Sequence, residues 1–402
     1  MKILHTADLH LGKKLNRASR LEEQESVIKE IADIADEREV DVILIAGDVF
    51  DASVPAAEAE RVFYRGLTTL CGRGRVVVAL AGNHDDEKRL CAAKPLAGSQ
   101  GIVLAGEIDY TSLGAETYTS PVPPANLLDV AAAAEYLKKQ RVKIYGRYGG
   151  ITVEKDGEKA NIALVPYPSE ARMSRWLETI DYNVPYAERV KGIIQKACEI
   201  FDENYNILCT HLFLTKSEGE TLGGLVALPF SVLPENADYV ALGHVHKRYT
   251  VTKKPFAVYC GSPLQYAYDE TRDKSVTVID TNTRQVSPVP LASGKKLTEA
   301  DADNFDECMQ KLDFYKKDYV RLKYGGEPLG KDQALEIKEH PAFNDLVIVA
   351  SAREKTHRES RAHLSDGEIF DMYYKSRYNT DPPAELKAAF VELMEELKSE
   401  AD

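Results

Sequence analysis

Residues 40–51 read VDVILIAGDVFD, and this stretch decides the fold. Val42 to Ala46 form an unbroken apolar, β-branched run that stops at Gly47-Asp48. A strand with one solvated face alternates in polarity, whereas a strand covered on both faces reads as a continuous apolar run. Four other segments share the form: KILHTADLH (2–10), VVVALAGNHD (76–85), YNILCTHL (205–212) and YVALGHVH (239–246). Helix-like stretches at Leu21–Glu37, Ala56–Leu70 and Tyr186–Asp202 lie between them, the alternation of a layered α/β domain. FAVYCGSP (256–263) and SVTVIDT (275–281) follow with no helix between them, so an antiparallel part is expected to close the domain near residue 290.

Residues 110–160 read as an elaboration. TSLGAETYTSPVPPAN (111–126) is turn-rich, AAAAEYLKKQ (131–140) is expected to be helical, and ITVEKDGEKANIALV (151–165) reads as a hairpin around Asp156-Gly157. VSPVPLASGKK (286–296) reads as a linker. The expected organisation is a main domain over 1–290, a small α/β domain over 297–355 and a helical pair over 364–402. In the pair, Ser365 and Glu368 fit a capping box, and Asp381-Pro382 fit an N-cap with proline at the first helical position. Leu386, Phe390, Leu393, Met394 and Leu397 share one face of its second helix.

Composition sets bounds on function. The 402 residues are 44% apolar and 29% charged, which excludes wholesale disorder. A formal charge of −13, from 64 acidic and 51 basic residues, at first disfavours nucleic acid. The excess is uneven: residues 297–402 hold 24 acidic and 15 basic side chains, leaving 40 and 36 for the rest. The six cysteines form no CxxC pair and read as reduced thiols. The apolar start, Ile3-Leu4, is too short for a signal peptide, and no window approaches the roughly 18 apolar residues of a membrane span. A soluble, cytoplasmic protein is expected, with no membrane partner.

The chemistry lies at the strand ends. Asp8 and His10 follow the first strand, Asp48 and Asp51 the second, Asn83, His84 and Asp85 the third, and His211, His244 and His246 two later ones. Ligands bind beyond the carboxyl ends of strands in open α/β sheets, so these segments can converge on one site. A glycine before each polar group would also simply end a strand, but six of the nine histidines lie in or beside these motifs. Mixed oxygen and imidazole ligands suit Mn²⁺, Zn²⁺ or Fe²⁺. Two ions about 3.5–4 Å apart need a bridging carboxylate, for which Asp48 is the natural candidate. His5, inside the first strand, is assigned to packing; His340, His357 and His363 are expected to be solvated.

The ordered set DxH…GDxxD…GNH[D/E]…H…GHxH resembles the calcineurin-like metallophosphoesterases. Within that superfamily HTADLHLGK, IAGDVFDASVP, LAGNHD, YVALGHVHK and YCGSPLQYAYDE, with the ending IFDMYYKSRYNTDPPAELKAAFVELMEEL, resemble the SbcD family of bacterial DNA double-strand-break repair nuclease subunits. The resemblance implies a layered sandwich of two sheets flanked by helices, with a small C-terminal α/β capping, DNA-binding domain and a terminal helical pair. It implies one metal on Asp8, His10 and His246, a second on Asn83, His211 and His244, and Asp48 between them. Manganese is the usual family metal, with magnesium the alternative. His84 is implied as donor of a proton or hydrogen bond to the leaving or a phosphate oxygen, and Asp51 as the carboxylate that orients it. Some relatives carry histidine at the position of Asp51, which leaves the proton donor open.

The same resemblance implies 3′-to-5′ exonuclease action on duplex ends and endonuclease action on single strands or hairpins. It also implies a coiled-coil ABC ATPase of the SbcC type docked by the terminal helices, and a homodimer through helices near 56–70 and 86–96. A small-molecule or nucleotide phosphoesterase is the alternative, disfavoured by the C-terminal hundred residues. A protein phosphatase would continue GDxxD with Arg-Gly, where this chain has Ala52-Ser53. GGEPLGKD (325–332) matches GxxxxGK, but Asp332 holds the Ser/Thr position and a proline interrupts the loop, so it is read as a turn and the chain as binding no ATP itself.

Overall fold

The computed structural model describes residues 1–16, 18–72, 74–107, 117–119, 143–147, 149–176, 181, 183–216, 221–222, 225–349, 366–378 and 380–390. The helix expected at 131–140 lies outside the described residues, as do Ser365, Leu393, Met394 and Leu397 of the helical pair, and His357 and His363. The chain divides into two units, Met1–Leu297 with Lys317–Tyr319, and Thr298–Lys316 with Val320 onward.

The first unit opens with β1 (Lys2–Thr6), α1 (Leu21–Glu37), β2 (Val42–Ile45), α2 (Ala57–Cys71), β3 (Val76–Leu80) and β4 (Ile102–Ala105). It continues through β5 (Thr117–Thr119), β6 (Lys143–Arg147), β7 (Gly150–Lys155), β8 (Glu158–Val165), α3 (Tyr186–Ala197), β9 (Tyr205–His211) and β10 (Tyr239–Gly243). It ends with β11 (Tyr249–Lys253), β12 (Phe256–Tyr259), β13 (Ser275–Asp280) and β14 (Gln285–Pro290). Six strands form one sheet in the order β14-β13-β1-β2-β3-β4, and eight form another in the order β11-β12-β10-β9-β8-β7-β6-β5. β1 to β4 pair in parallel, as do β8, β9, β10 and β12.

Burial explains the apolar runs. Ile3, Val42, Leu44, Val76 and Val78 of the first sheet pack on Ile162, Ile207, Cys209, Ala241 and Val258 of the second. The opposite face of the first sheet, through Leu4, Ile43, Ile45 and Val77, packs on Ile28 and Ile31 of α1 and Val62, Phe63 and Leu67 of α2. The outer face of the second, through Ala163, Leu208 and Val240, packs on Val190, Ile193 and Ile194 of α3. Each central strand therefore loses both faces to apolar neighbours, giving the expected sandwich of two sheets between helices.

One local expectation changes: the stretch read as a linker from Val286 begins as a strand, since Val286–Pro290 belong to β14. The antiparallel closure expected near residue 290 is the β13–β14 hairpin, with β13 also antiparallel to β1, whereas β12 lies beside β10 and β11 in the other sheet. The strandless segment from Cys260 to Lys274 carries the chain between sheets. The β7–β8 hairpin does turn at Asp156-Gly157, both with positive φ (54° and 87°), as a two-residue primed turn requires.

In the second unit β15 (Leu297–Ala302), β16 (Tyr319–Tyr324) and β17 (Phe343–Ile348) form a sheet in that order. With α4 (Phe305–Phe314) and α5 (Lys331–Glu339) they enclose Ala302, Cys308, Leu312, Val320, Leu322 and Ile337. Gly325–Gly330 is the turn between β16 and α5, and Lys331 opens the helix. His340 is not solvated as expected: its side chain lies 3.3 Å from Asp313 and accepts the Ala342 N–H. α6 (Asp366–Tyr378) precedes a helix described over 384–390, and Phe370 stacks on Phe390 at 4.4 Å. Asp381 is not its N-cap but pairs with Lys375 at 2.9 Å. Pro383 drives the residue before it out of the helical region, so the helix starts after both prolines.

The glycines at the strand ends do more than terminate strands. A Cβ on Gly243 would lie 1.8 Å from the Ala46 carbonyl oxygen and 2.7 Å from His211 Nδ1, and one on Gly82 would lie 2.1 Å from Asp48 Oδ1. At Gly243 the ends of the two sheets approach too closely for any side chain, and at Gly82 two neighbouring strand ends of the first sheet do. Gly243→Ala is expected to lower stability by about 3 kcal/mol or more, measured as a shifted urea midpoint, because backbone rather than a flexible side chain must move.

Candidate metal centre

The carboxyl ends of β1, β2, β3, β9 and β10 meet at one edge of the sandwich, and all seven residues proposed as ligands come together there. Asp8, His10 and His246 form one cluster and Asp48, His211 and His244 another, the donor atoms within each lying within 4.8 Å of one another; a third joins Asp48 and His10 to His84. His10 Nε2 is 3.0 Å from His246 Nε2, and His211 Nε2 is 3.0 Å from Asn83 Oδ1. Asp48 Oδ2 lies between the clusters, 3.6 Å from His10 Nε2 and 3.4 Å from His211 Nε2.

The backbone is bent to achieve this. Asp8, His10, Asp48 and His244 all have positive φ, 55°, 42°, 49° and 106°, conformations that cost roughly 1–3 kcal/mol each for side-chain-bearing residues. Hydrogen bonds hold them: the Asp8 N–H donates to Gly47 O, the His10 N–H to Asp48 O, and the His244 N–H to Asp8 Oδ1. Each turn back at a strand end thus leans on a turn from a neighbouring strand.

The electrostatics favour a cation. Burial pushes the Asp8 carboxyl up, only partly opposed by the nearby histidines, and its Oδ2 is buried without a hydrogen-bond partner. An unsatisfied buried carboxylate oxygen is costly, and a metal ion would satisfy it. Burial works against Asp48 too, but His211, His10 and His84 overcome it and hold its carboxyl well below the usual range. Against its own burial, Asp48 and Asp8 raise His211 to about 9. The donor set and the orphaned oxygen fit divalent ions.

His84 and Asp51 sit at the half-buried mouth of this cluster. The expected carboxylate–imidazole pair between them is corrected: His84 Nδ1–H donates to the main-chain carbonyl of Asp51 at 2.8 Å. The Asp51 carboxylate instead takes Lys13 Nζ at 2.8 Å and faces His10 Nδ1 at 3.4 Å. Burial opposes its ionisation, yet His10 and Lys13 bring its pKa down to about 2. The carbonyl wins because residues 48–51 run directly past the loop that carries His84.

Several supporting residues escaped sequence reasoning. Asp85 accepts from the N–H groups of Val49, Phe50 and Gly82, tying the GDVFD loop to the GNHD loop; burial and Asp48 raise its pKa to about 6 despite these donors. Arg172, on the short helix Glu170–Trp176, donates to the Gly82 and Asp85 carbonyls and pairs with Glu87 at 3.2 Å. Gln24 of α1 donates to the His10 carbonyl at 2.7 Å. Glu270 accepts from His246 Nδ1–H at 2.8 Å. Asp85 and Glu270 fall inside quoted motifs, which was the available signal; Gln24 and Arg172 carry none.

The calcineurin-like phosphoesterase family matches residues 1–248. The chain is 31% identical to the SbcD subunit of the SbcCD nuclease of Bacillus subtilis (strain 168) over 424 aligned positions, covering 100% of this chain and 99% of that one. Among solved structures it is similar to an archaeal phosphodiesterase (14% identity, TM-score 0.30, covering 72% of this chain and 100% of that one). It is also similar to a Thermus thermophilus protein (10% identity, TM-score 0.38, covering 72% and 98%) and to a dimetal phosphatase from Danio rerio (11% identity, TM-score 0.36, covering 69% and 91%). With the family matched over more than half its length, and a relative above 30% identity matched from end to end, the chain belongs to the calcineurin-like metallophosphoesterases and, within them, to the SbcD family.

Proposed function

We propose that this chain is the nuclease subunit of an SbcCD-type complex, hydrolysing DNA phosphodiesters with two divalent ions, manganese first and magnesium as the alternative. The observation that carries the reading is the convergence of Asp8, His10, Asp48, Asn83, His211, His244 and His246, with Asp48 3.6 and 3.4 Å from one histidine of each cluster. The full-length similarity to a protein named as a nuclease subunit supports DNA as substrate. The proposed actions are 3′-to-5′ exonuclease on duplex ends and endonuclease on single strands and hairpins, in repair, recombination and replication-fork processing.

In the proposed roles Asp8, His10 and His246 would hold one ion, Asn83, His211 and His244 the other, and Asp48 would be shared by both. Two ions bound there would supply an activated water and charge neutralisation for an in-line phosphoryl transition state. The protein's own contribution beyond ligation is His84. Its Nδ1–H is committed to a carbonyl, which can only accept, so Nε2 donates a proton to the leaving oxygen only from the imidazolium form. Asp51 places His84 through its carbonyl and, through its carboxylate, holds Lys13 beside the mouth of the site.

The remaining proposals concern partners. Residues 297–355 are proposed as the family's capping, DNA-binding domain, and 364–402 as the helices that dock the coiled coil of an ABC ATPase. Ile369, Met372, Tyr373 and Leu386 remain exposed there, a suitable apolar surface. A homodimer is proposed through α2 and the segment after Asp86, where Tyr64, Leu67, Ala93 and Leu96 line an apolar groove. Among the described residues no helix is long and apolar enough to cross a membrane, and all six cysteines are free thiols; a cytoplasmic location is proposed.

Nuclease assay of the full chain on duplex ends and hairpins, with and without Mn²⁺, tests the function. Manganese-dependent cleavage is expected, and cleavage of a small chromogenic diester with none of DNA, even with the ATPase present, would favour the small-molecule reading. His84→Ala is expected to lower the cleavage rate about 10²–10⁴-fold while Mn²⁺ uptake, read by calorimetry, persists. Asp48→Asn is expected to lose activity and weaken binding of both ions together, where loss of a single ion would remove Asp48 from the bridging role. Chelation is expected to lower the melting temperature reversibly, since ligands bound only by the folded state stabilise it.

A further inference from the structure

Glu270 lies in the strandless crossing between β12 and β13, outside every strand-end motif, yet its carboxylate meets the centre. Oε1 accepts from His246 Nδ1–H at 2.8 Å. Oε2 takes Lys274 Nζ at 2.7 Å and the Tyr266 N–H at 3.2 Å. Lys274 Nζ also donates to Ser262 Oγ at 2.8 Å and to the main-chain carbonyl of His246 at 3.1 Å. His246 is therefore held at both its ring and its backbone by one small network. Because Nδ1 carries the proton, Nε2 of the neutral ring presents its lone pair to the Asp8–His10 cluster. The corresponding nitrogen of His211 donates instead to the Ala46 carbonyl at 2.9 Å, a neutral acceptor. An ionised acceptor polarises an imidazole more strongly than a carbonyl does.

We propose that Glu270 is a positioning residue for the metal centre: its carboxylate fixes the tautomer and orientation of His246 and strengthens that ring as a donor to one of two ions. The inference rests on reading Asp8, His10 and His246 as ligands of a single ion. It makes the two halves of the centre chemically unequal, a charged support behind one imidazole and a peptide carbonyl behind the other.

The test is Mn²⁺ titration of the full chain, followed by electron paramagnetic resonance of the free ion, for wild type, Glu270→Gln and Glu270→Ala. Wild type is expected to take up two ions. Both variants are expected to bind one of them about 10–100-fold more weakly and to leave the other nearly unchanged, the usual scale for an outer hydrogen-bond partner of a ligand. The Mn²⁺ concentration for half-maximal cleavage should rise by the same factor, while the rate at saturating Mn²⁺ returns close to wild type. In the metal-free chain, ¹⁵N spectra of the imidazoles should show His246 protonated on Nδ1 in wild type and a tautomer mixture in Glu270→Ala. Should the alanine variant fail to fold, Glu270→Gln, which keeps the shape and removes the charge, carries the comparison. Unchanged affinity for both ions in the folded variants overturns the inference, as does a rate lost at saturating Mn²⁺ with affinity intact, or equal weakening of both ions. Wild type that binds no Mn²⁺ refutes the reading of the centre itself, an outcome distinct from two ions bound equally well with and without Glu270.

Discussion

A carboxylate buried where two sheets meet has to be answered by positive charge, and Asp48 imposes that requirement on everything around it. It is 2% exposed, and its surroundings are His10, His211 and the His84 N–H. Bringing those groups to it from separate strands forces the close approaches and the left-handed backbone. Gly82 must lack a side chain because Asp48 occupies that space, and Gly243 because the Ala46 carbonyl does. The strain at Asp8, His10, Asp48 and His244 is tolerable because the layers beneath are continuous apolar packing.

The supporting shell is itself largely buried and mostly made of main-chain contacts. Asp85 gathers three N–H groups from two loops, and Arg172 answers with donors to two carbonyls of the GNHD loop. The loop that carries Asn83 and His84 is thus gripped from its own side and from the helix after β8. Side chains that act through backbone atoms leave little room for drift, which is what preorganised chemistry needs.

How much of this was legible in the sequence follows from the physics of each part. Continuous apolar runs marked β2, β3, β9 and β10 because burial on both faces removes polar positions, and the residues just beyond them were readable because a carboxyl-end crevice collects them. Helices α1, α2 and α3 were visible through their one buried face. The sheet membership of β12 and β13 was not, since strand pattern says nothing about which neighbour a strand takes. The Asp51 carboxylate was paired with the wrong partner because motif spacing cannot distinguish a side-chain oxygen from the carbonyl a few atoms away. Gln24 and Arg172 act on backbone carbonyls, contacts that have no sequence signature.

The scatter of the centre along the chain has its own consequence. His10 and His246 stand 236 residues apart and touch at 3.0 Å, with the other members spread between them. A nascent chain lacks part of the cluster until His246 has been added, and opening any one of the five strand ends takes it apart. The cluster is therefore a property of tertiary structure alone: no short stretch of the chain holds it, and a proteolysed chain that loses either sheet keeps only part of it.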